Sequence, residues 1–252
     1  MSSDREDDVP VDYHRRLRDS FELFSRVVAE QSAEIRARET GIIVEVQPGI
    51  ATVVGLPNVR TDEVLRFGGN RRGFAFNLDA EEVGCVLLDK SDQLQAGTRV
   101  ERTGTVLDTP VGEQLLGRVI DPIGRALDGK RPVSATERLP CERDATPIMR
   151  RAPVSVPLQT GLKVIDALIP IGRGQRQLVL GDRQTGKTSI AIDTIINQRG
   201  FDVICIYCSI GQRSTNVARV IASLKDNGAM DHSIVVVGAD DATPGVQFIA
   251  PY

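Results

Sequence analysis

The stretch Gly181-Asp182-Arg183-Gln184-Thr185-Gly186-Lys187-Thr188 fits the pattern GxxxxGK(S/T). It lies directly after the apolar run QLVL and directly before an apolar segment of helical spacing, the context that a phosphate-binding loop requires. Glycines let successive backbone N–H groups curl round phosphate oxygens, and the N-terminus of the following helix adds a favourable dipole. In that geometry Lys187 reaches the β and γ oxygens of a nucleoside triphosphate, and the Thr188 hydroxyl is a ligand for Mg2+. Asp182 and Arg183 are expected at the loop surface, where Arg183 could touch a phosphate.

Hydrolysis needs two further groups: an acidic residue for the metal and a residue that orients the attacking water. Asp240 follows the apolar run IVVVGA, the position of a metal-linked aspartate, but Asp240-Asp241-Ala242-Thr243-Pro244-Gly245 also reads as a turn. The position for the water is the end of the strand after the loop's helix, where the chain reads Ser209-Ile210-Gly211-Gln212-Arg213. A carboxylate there could act as a base, whereas the neutral amide of Gln212 is a far weaker proton acceptor and predicts binding without fast turnover. Small GTPases use Gln to orient water, so residue type alone leaves catalysis open.

Such a loop needs a sheet behind it. Around it the pattern predicts a strand at Gln177–Leu180, a helix at Thr188–Gln198 and a strand at Val203–Cys208. A helix bearing Val217, Val220, Ile221 and Leu224 follows, stopping near Gly228, and then a strand at Ser233–Val237. This is the start of a parallel α/β sheet. Upstream, Pro140, Pro147, Pro153 and Pro157 punctuate an extended crossing segment. Between Thr40 and Val106 six short apolar stretches (GIIVEV, IATVVGL, EVLRF, FAFNL, VGCVLL and RVERTGTV) are separated by turn residues such as Pro48-Gly49 and Gly68-Gly69-Asn70. Six strands in so short a span predict a small closed β-barrel, and the alternation of Phe74, Phe76 and Leu78 predicts that their face is buried. From Val11 to Arg38 there is no Gly or Pro, and Leu17, Phe21, Phe24, Val28 and Ile35 make one apolar stripe of an amphipathic helix. That stripe packs either on its own domain or on another subunit. The expected division is therefore an N-terminal helix over 1–38, a barrel over 39–107 and an incomplete phosphate-loop domain over 108–252.

Composition removes several classes of function. The 252 residues are 41% apolar, enough for a core, and 31 Lys and Arg against 34 Asp and Glu leave a net charge of −3. No excess of positive charge drives binding to nucleic acid or anionic lipid. The longest apolar run, Val203–Cys208, is far short of the ~20 residues of a membrane-spanning helix, and the acidic start is unlike a signal peptide. Any membrane contact is expected through a partner. Cys205 and Cys208 have CxxC spacing, but residues three apart on a strand face opposite ways and cannot share a zinc ion, so both are expected to be small core residues.

The motifs PIGRGQR (170–176), GDRQTGKT (181–188) and IINQR (195–199), the pair Gly211-Gln212, and the longer stretches GRVIDPIGRALDG (117–129) and VPLQTGLKVIDALIPIG (156–172) resemble the alpha subunits of rotary F-type ATP synthases in order and spacing. The resemblance covers nearly the whole chain from about residue 11. It implies an N-terminal helix that helps attach the stator, a barrel in a crown around the catalytic head, and a RecA-like nucleotide-binding domain. It further implies a ring of three alpha and three beta chains with central stalk and stator subunits. The complex would make ATP from a transmembrane H+ or Na+ gradient, as a peripheral assembly at the cytoplasmic face of the bacterial inner membrane. Membrane contact would come only through the ion-translocating sector, and no nucleic acid would be involved.

By the same match, alpha binds Mg-ATP at a regulatory, non-catalytic site. Gly181, Asp182, Arg183, Gln184, Thr185, Gly186, Lys187 and Thr188 would hold the nucleotide, Thr188 the metal, and Gln212 would stand where the catalytic beta paralogue has Glu. A metal-linked Asp, an arginine lent to beta and a helical domain would follow Tyr252. Two other classes combine similar parts. A catalytic export or flagellar motor ATPase wants a carboxylate at position 212, and a ring-shaped RNA translocase wants a basic, aromatic barrel face.

Overall fold

The computed structural model describes residues 18, 20–23, 25, 38–134 and 137–252. The amphipathic helix expected over Val11–Arg38 lies outside the described residues except for positions 18, 20–23 and 25, which are helical.

The six expected apolar stretches are β1 (Thr40–Gln47), β2 (Ile50–Val54), β3 (Glu63–Phe67), β4 (Arg71–Leu78), β5 (Glu82–Leu87) and β6 (Arg99–Val106). They close into an antiparallel barrel in the order β1-β2-β5-β4-β3-β6. Each strand is two-faced, so alternate residues meet at the axis: Ile43, Val53, Leu65, Phe67, Cys85, Leu87 and Val100 are buried there. Register shifts at Ile43/Glu45, Glu63/Leu65 and Ala75/Asn77 supply the local bends that closure needs.

The expected face of β4 is not the inward one. Gly73 and Ala75 point to the axis, and a Cβ on Gly73 would lie 2.8 Å from the Phe67 ring and 2.7 Å from the Val86 carbonyl. Phe67 fills this level of the barrel, so the facing strand must be small. Phe74 is buried outside the barrel among Leu88, Leu107, Ile123, Val246 and Ile249, while Phe76 and Leu78 are exposed.

One ionised cluster also enters the barrel. The Glu63 carboxylate, 1% exposed, accepts bonds from Arg102 Nε (3.0 Å) and Nη2 (2.8 Å) and from the backbone N–H groups of Gly104 (3.0 Å) and Arg60 (3.1 Å). Arg102 Nη1 also donates to Glu39 at 2.7 Å, which fastens the start of β1 to β6. Burial pushes the Glu63 carboxyl up, but Arg102 and the two backbone donors outweigh it and leave it below its ordinary value.

After the barrel, β7 (Asp108–Val111) pairs antiparallel with β9 (Glu137–Pro140), and β10 (Pro157–Leu158) pairs with β11 (Ile171–Gly172). Between them β8 (Val119–Ile120) joins a three-stranded parallel sheet of order β12-β13-β8, with β12 at Cys205–Gln212 and β13 at Ser233–Ala239. The helices are α1 (Lys163–Leu168), α2 (Lys187–Asn197), α3 (Ser214–Asp226) and α4 (Pro244–Ile249). The apolar stripe of α3, Val217, Val220 and Leu224, packs with Tyr207, Val235 and Val237 of the sheet and Ile195 of α2. The fold class is thus an all-β barrel followed by a parallel α/β part.

Two expected strands differ. Gln177–Leu180 forms no ladder among the described residues, and Leu178 and Leu180 are 74% and 80% exposed. Apolarity alone does not make a strand, because the backbone must also find a paired neighbour. β12 lies later than the expected Val203–Cys208, because its pairing with β13 starts at Cys205 and runs to Gln212.

The barrel is stitched to the α/β part through Asp89, and Asp121 holds the turn that carries its partner Arg125. Asp89 accepts from the Arg72 N–H at 2.8 Å and from Arg125 Nη2 at 2.5 Å, and Asp121 Oδ1 caps the turn by accepting from Ile123 N (3.0 Å) and Arg125 N (2.7 Å).

Candidate nucleotide site

The loop 181–188 sits where the chain enters α2. Gln184 (φ 63°) and Gly186 (φ 88°) are both left-handed, and Gly186 is the residue immediately before the helix. Left-handed residues at alternate positions turn neighbouring N–H groups to one side and make a concave anion seat. Among the described residues no backbone acceptor pairs with the N–H groups of 184–189. A Cβ on Gly181 would come within 2.8 Å of Thr185 Oγ1, so a side chain there would displace the Thr185 hydroxyl.

Lys187 lies across this seat. Its Nζ donates to the Gly181 carbonyl at 2.7 Å and to the Asp182 carbonyl, and lies 3.4 Å from Thr185 Oγ1, which itself donates to Asp182 O at 2.9 Å. The ammonium is therefore held by loop carbonyls at the site where free N–H groups converge. Asp182, Arg183, Gln184, Thr185 and Thr188 are exposed, so the seat is open to solvent. This combination of unpaired amides, a cation and a helix N-terminus suits a polyphosphate.

For Mg2+ the motif offers one hydroxyl, that of Thr188, and the described residues contain no cluster of three His, Cys, Asp or Glu side chains. Mg2+ keeps most of its waters and takes phosphate oxygens as ligands. The donor set fits an ion that arrives with a nucleotide, not one caged by protein. Asp240 stands in a turn closed by Ala242 N to Ala239 O at 3.2 Å, and it is exposed.

Gln212 ends β12, opposite Ala239 of β13. Burial pushes the Tyr207 hydroxyl up, and the Gln212 amide beside it works the other way. No hydrogen bond joins Gln212 to residues 181–188 among the described residues. Cys205 is buried and Cys208 exposed, on opposite faces of β12, with Cys208 Sγ 3.3 Å from the Ala250 carbonyl. The expected split of the CxxC pair is observed, although only Cys205 is a core residue.

The residues that fix the far end of α2 were not singled out from sequence. Asn197 Nδ2 donates to Thr160 O at 2.9 Å, and Gln198, 2% exposed, donates to Gln159 O at 2.7 Å and Thr194 O at 3.0 Å. Thr160 is fully buried, and its hydroxyl donates to Asp166 Oδ1 at 2.6 Å, while Asp166 Oδ2 accepts from Gly161 N at 2.9 Å. These bonds hold the Asp166 carboxyl below its ordinary value. The segments IINQR and LQTGLKVID thus bond to each other and anchor the helix whose first turn borders the loop 181–188. Gly161 (φ 76°) has no room for a side chain, since a Cβ would lie 2.1 Å from Asn197 Nδ2. Gly161→Ala is expected to cost about 1–3 kcal/mol, seen as a lower urea midpoint at unchanged slope. An unchanged midpoint would mean that this anchor contributes nothing.

Comparison with known proteins agrees with this division into barrel and α/β parts. The ATP synthase alpha/beta family, beta-barrel domain, matches residues 37–104, and the ATP synthase alpha/beta family, nucleotide-binding domain, matches residues 161–252. ATP synthase subunit alpha 1 of Rhodopirellula baltica is 66% identical over 240 residues, which are 95% of this chain and 48% of that protein. ATP synthase subunit alpha 1 of Psychromonas ingrahamii is 61% identical over 220 residues, 87% of this chain and 42% of that protein. ATP synthase subunit alpha 2 of Albidiferax ferrireducens is 60% identical over 215 residues, 85% and 40%. The chain spans about half the length of the curated relatives it matches, or somewhat less.

Proposed function

The chain belongs to the ATP synthase alpha/beta family, and from that premise we propose that it is a regulatory alpha subunit that binds Mg-ATP without hydrolysing it. The observation that carries the proposal is the pairing of an open phosphate seat, residues 181–188 with Lys187 across it, with an amide at Gln212 in place of a carboxylate. The seat's N–H groups would orient the phosphates, Lys187 would exchange its two carbonyl partners for β and γ oxygens, and Thr188 would hold the metal. Mg2+ would neutralise phosphate charge when bound. Gln212 cannot take a proton from water at neutral pH as a carboxylate does, which supports binding without turnover.

In this reading the barrel over 39–107 and the nucleotide-binding domain over 108–252 are separate domains of a head with three alpha and three beta chains. Central stalk and stator subunits complete the complex, and the N-terminal helix over 1–38 contributes to stator attachment. The complex would couple ATP synthesis to an ion gradient at the cytoplasmic face of a bacterial inner membrane. No helix among the described residues is long and apolar enough to cross a membrane. Membrane contact would come through the ion-translocating sector. Phe67 and Phe74 are buried, which removes two of the rings an RNA-binding barrel would offer for stacking. The purified chain is expected to show no appreciable steady-state ATPase activity. Steady hydrolysis that Lys187→Ala abolishes would overturn the non-catalytic reading.

A further inference from the structure

The outer face of the barrel carries a second cationic site, remote in sequence from the phosphate loop. Arg66 of β3 lies cross-strand from Arg72 of β4 on one side and from Glu101 of β6 on the other, so the Arg66–Arg72 contact sets like charges side by side while Glu101 offsets only Arg66. Arg66 and Arg72 open onto a continuous cleft, about 820 Å3 in its larger part, whose floor is β3, β4 and β6 and whose wall is formed by residues 123–133 and by Arg138. Arg71, Arg125, Lys130 and Arg138 complete six cationic side chains along it, against two carboxylates, Asp89 and Asp108. Both carboxylates are engaged: Asp89 with Arg125 at 2.5 Å and Asp108 with Arg138 Nε at 2.9 Å. Arg71 is held by the Gly68 carbonyl and by Gln93. The guanidinium groups of Arg66 and Arg72 have no hydrogen-bond partner among the described residues. For Arg72, burial first and then the neighbouring Arg125 disfavour the cationic form, which Asp89 and Asp121 favour without outweighing them.

A like-charge pair kept on the cleft floor is a local conflict that a bound anion relieves. No aromatic side chain lines the cleft, which removes the stacking platform that a nucleic-acid strand needs and leaves the phosphate chemistry alone. We propose that the cleft between the outer barrel face and residues 123–133 binds a multivalent phosphate-type oxyanion through the paired guanidinium groups of Arg66 and Arg72. The site is independent of the nucleotide seat at 181–188 and of the function assigned to it.

The test is calorimetric titration of the full chain with inorganic pyrophosphate at constant ionic strength, using the native sequence, Lys187→Gln, and the double variant Arg66→Gln/Arg72→Gln combined with Lys187→Gln. Pyrophosphate binding is expected to survive Lys187→Gln and to weaken about tenfold or more when the two arginines are also replaced, since each loses a charge-assisted contact. Thermal unfolding provides a second readout. Pyrophosphate is expected to raise the melting temperature of Lys187→Gln but not of the combined variant. Equal affinity with and without the two arginines would overturn the proposal, as would loss of all binding on Lys187→Gln alone. Tighter arginine-dependent binding of a polyglutamate peptide than of pyrophosphate would also overturn it, assigning the cleft to an acidic protein segment.

Discussion

Replacing Lys187 by Gln is expected to weaken Mg-ATP binding roughly ten- to a hundredfold. Its Nζ already lies among the free amides of the loop, held by the Gly181 and Asp182 carbonyls. In the proposed complex it trades those neutral partners for charged phosphate oxygens. Charge-assisted bonds of this kind are worth about 1.5–3 kcal/mol each, and about 1.4 kcal/mol is one decade in affinity. Because Lys187 begins α2 and its Nζ contacts only atoms of the adjoining loop, the fold should be unaffected. Equilibrium titration with a fluorescent ATP analogue, beside a urea melt, separates the two effects. Unchanged affinity would remove Lys187 from the site.

The largest effect on stability is expected at Glu63. Its carboxylate is buried and takes four donated bonds, two of them from Arg102. Glu63→Gln keeps the volume but turns an NH2 group toward donors and leaves Arg102 without its main counter-ion. Breaking a buried pair in this way costs about 3–5 kcal/mol, a large share of the stability of a single domain. The pH dependence follows from the direction of the shift. Since the folded carboxyl lies below the ordinary Glu value of 4.5, its contribution is fully present above that pH and drains away as pH falls through the lower folded value. Urea unfolding of the native chain at pH 7 and at pH 4 should therefore show an acid loss that Glu63→Gln reduces. A variant as stable as the native chain at pH 7 would show that the Glu63–Arg102 pair is dispensable.

Much of the geometry of the loop 181–188 was legible because it depends on local rules. A glycine before a helix, a lysine at the first helical position and an apolar segment after it fix the backbone within eight residues. The barrel was legible for the same reason, as period-two strands broken by turn residues. Which face of β4 points inward was not, because Phe67 on the neighbouring strand decides whether Gly73 and Ala75 or Phe74 and Phe76 meet the axis. The anchor of α2 was hidden in a similar way. The motifs IINQR and LQTGLKVID were both visible, but spacing says nothing of the bond from Asn197 to Thr160, 37 residues away. Strand Gln177–Leu180 failed for the opposite reason: its composition is right, and the missing element is a partner for its backbone. The Arg66–Arg72 pair is likewise a matter of register, which only the closed barrel reveals.

The proposed division of labour, binding in this chain and chemistry in its partners, is tested most directly by pre-steady-state ATP hydrolysis in assembled head complexes carrying Lys187→Gln only in this chain. A first turnover at near-normal rate is expected, with any defect arising later, for example as slow release from inhibition by trapped ADP. A catalytic role would instead leave transition-state charge unneutralised, and the first turnover would fall at once by several orders of magnitude. That immediate collapse would contradict a regulatory site.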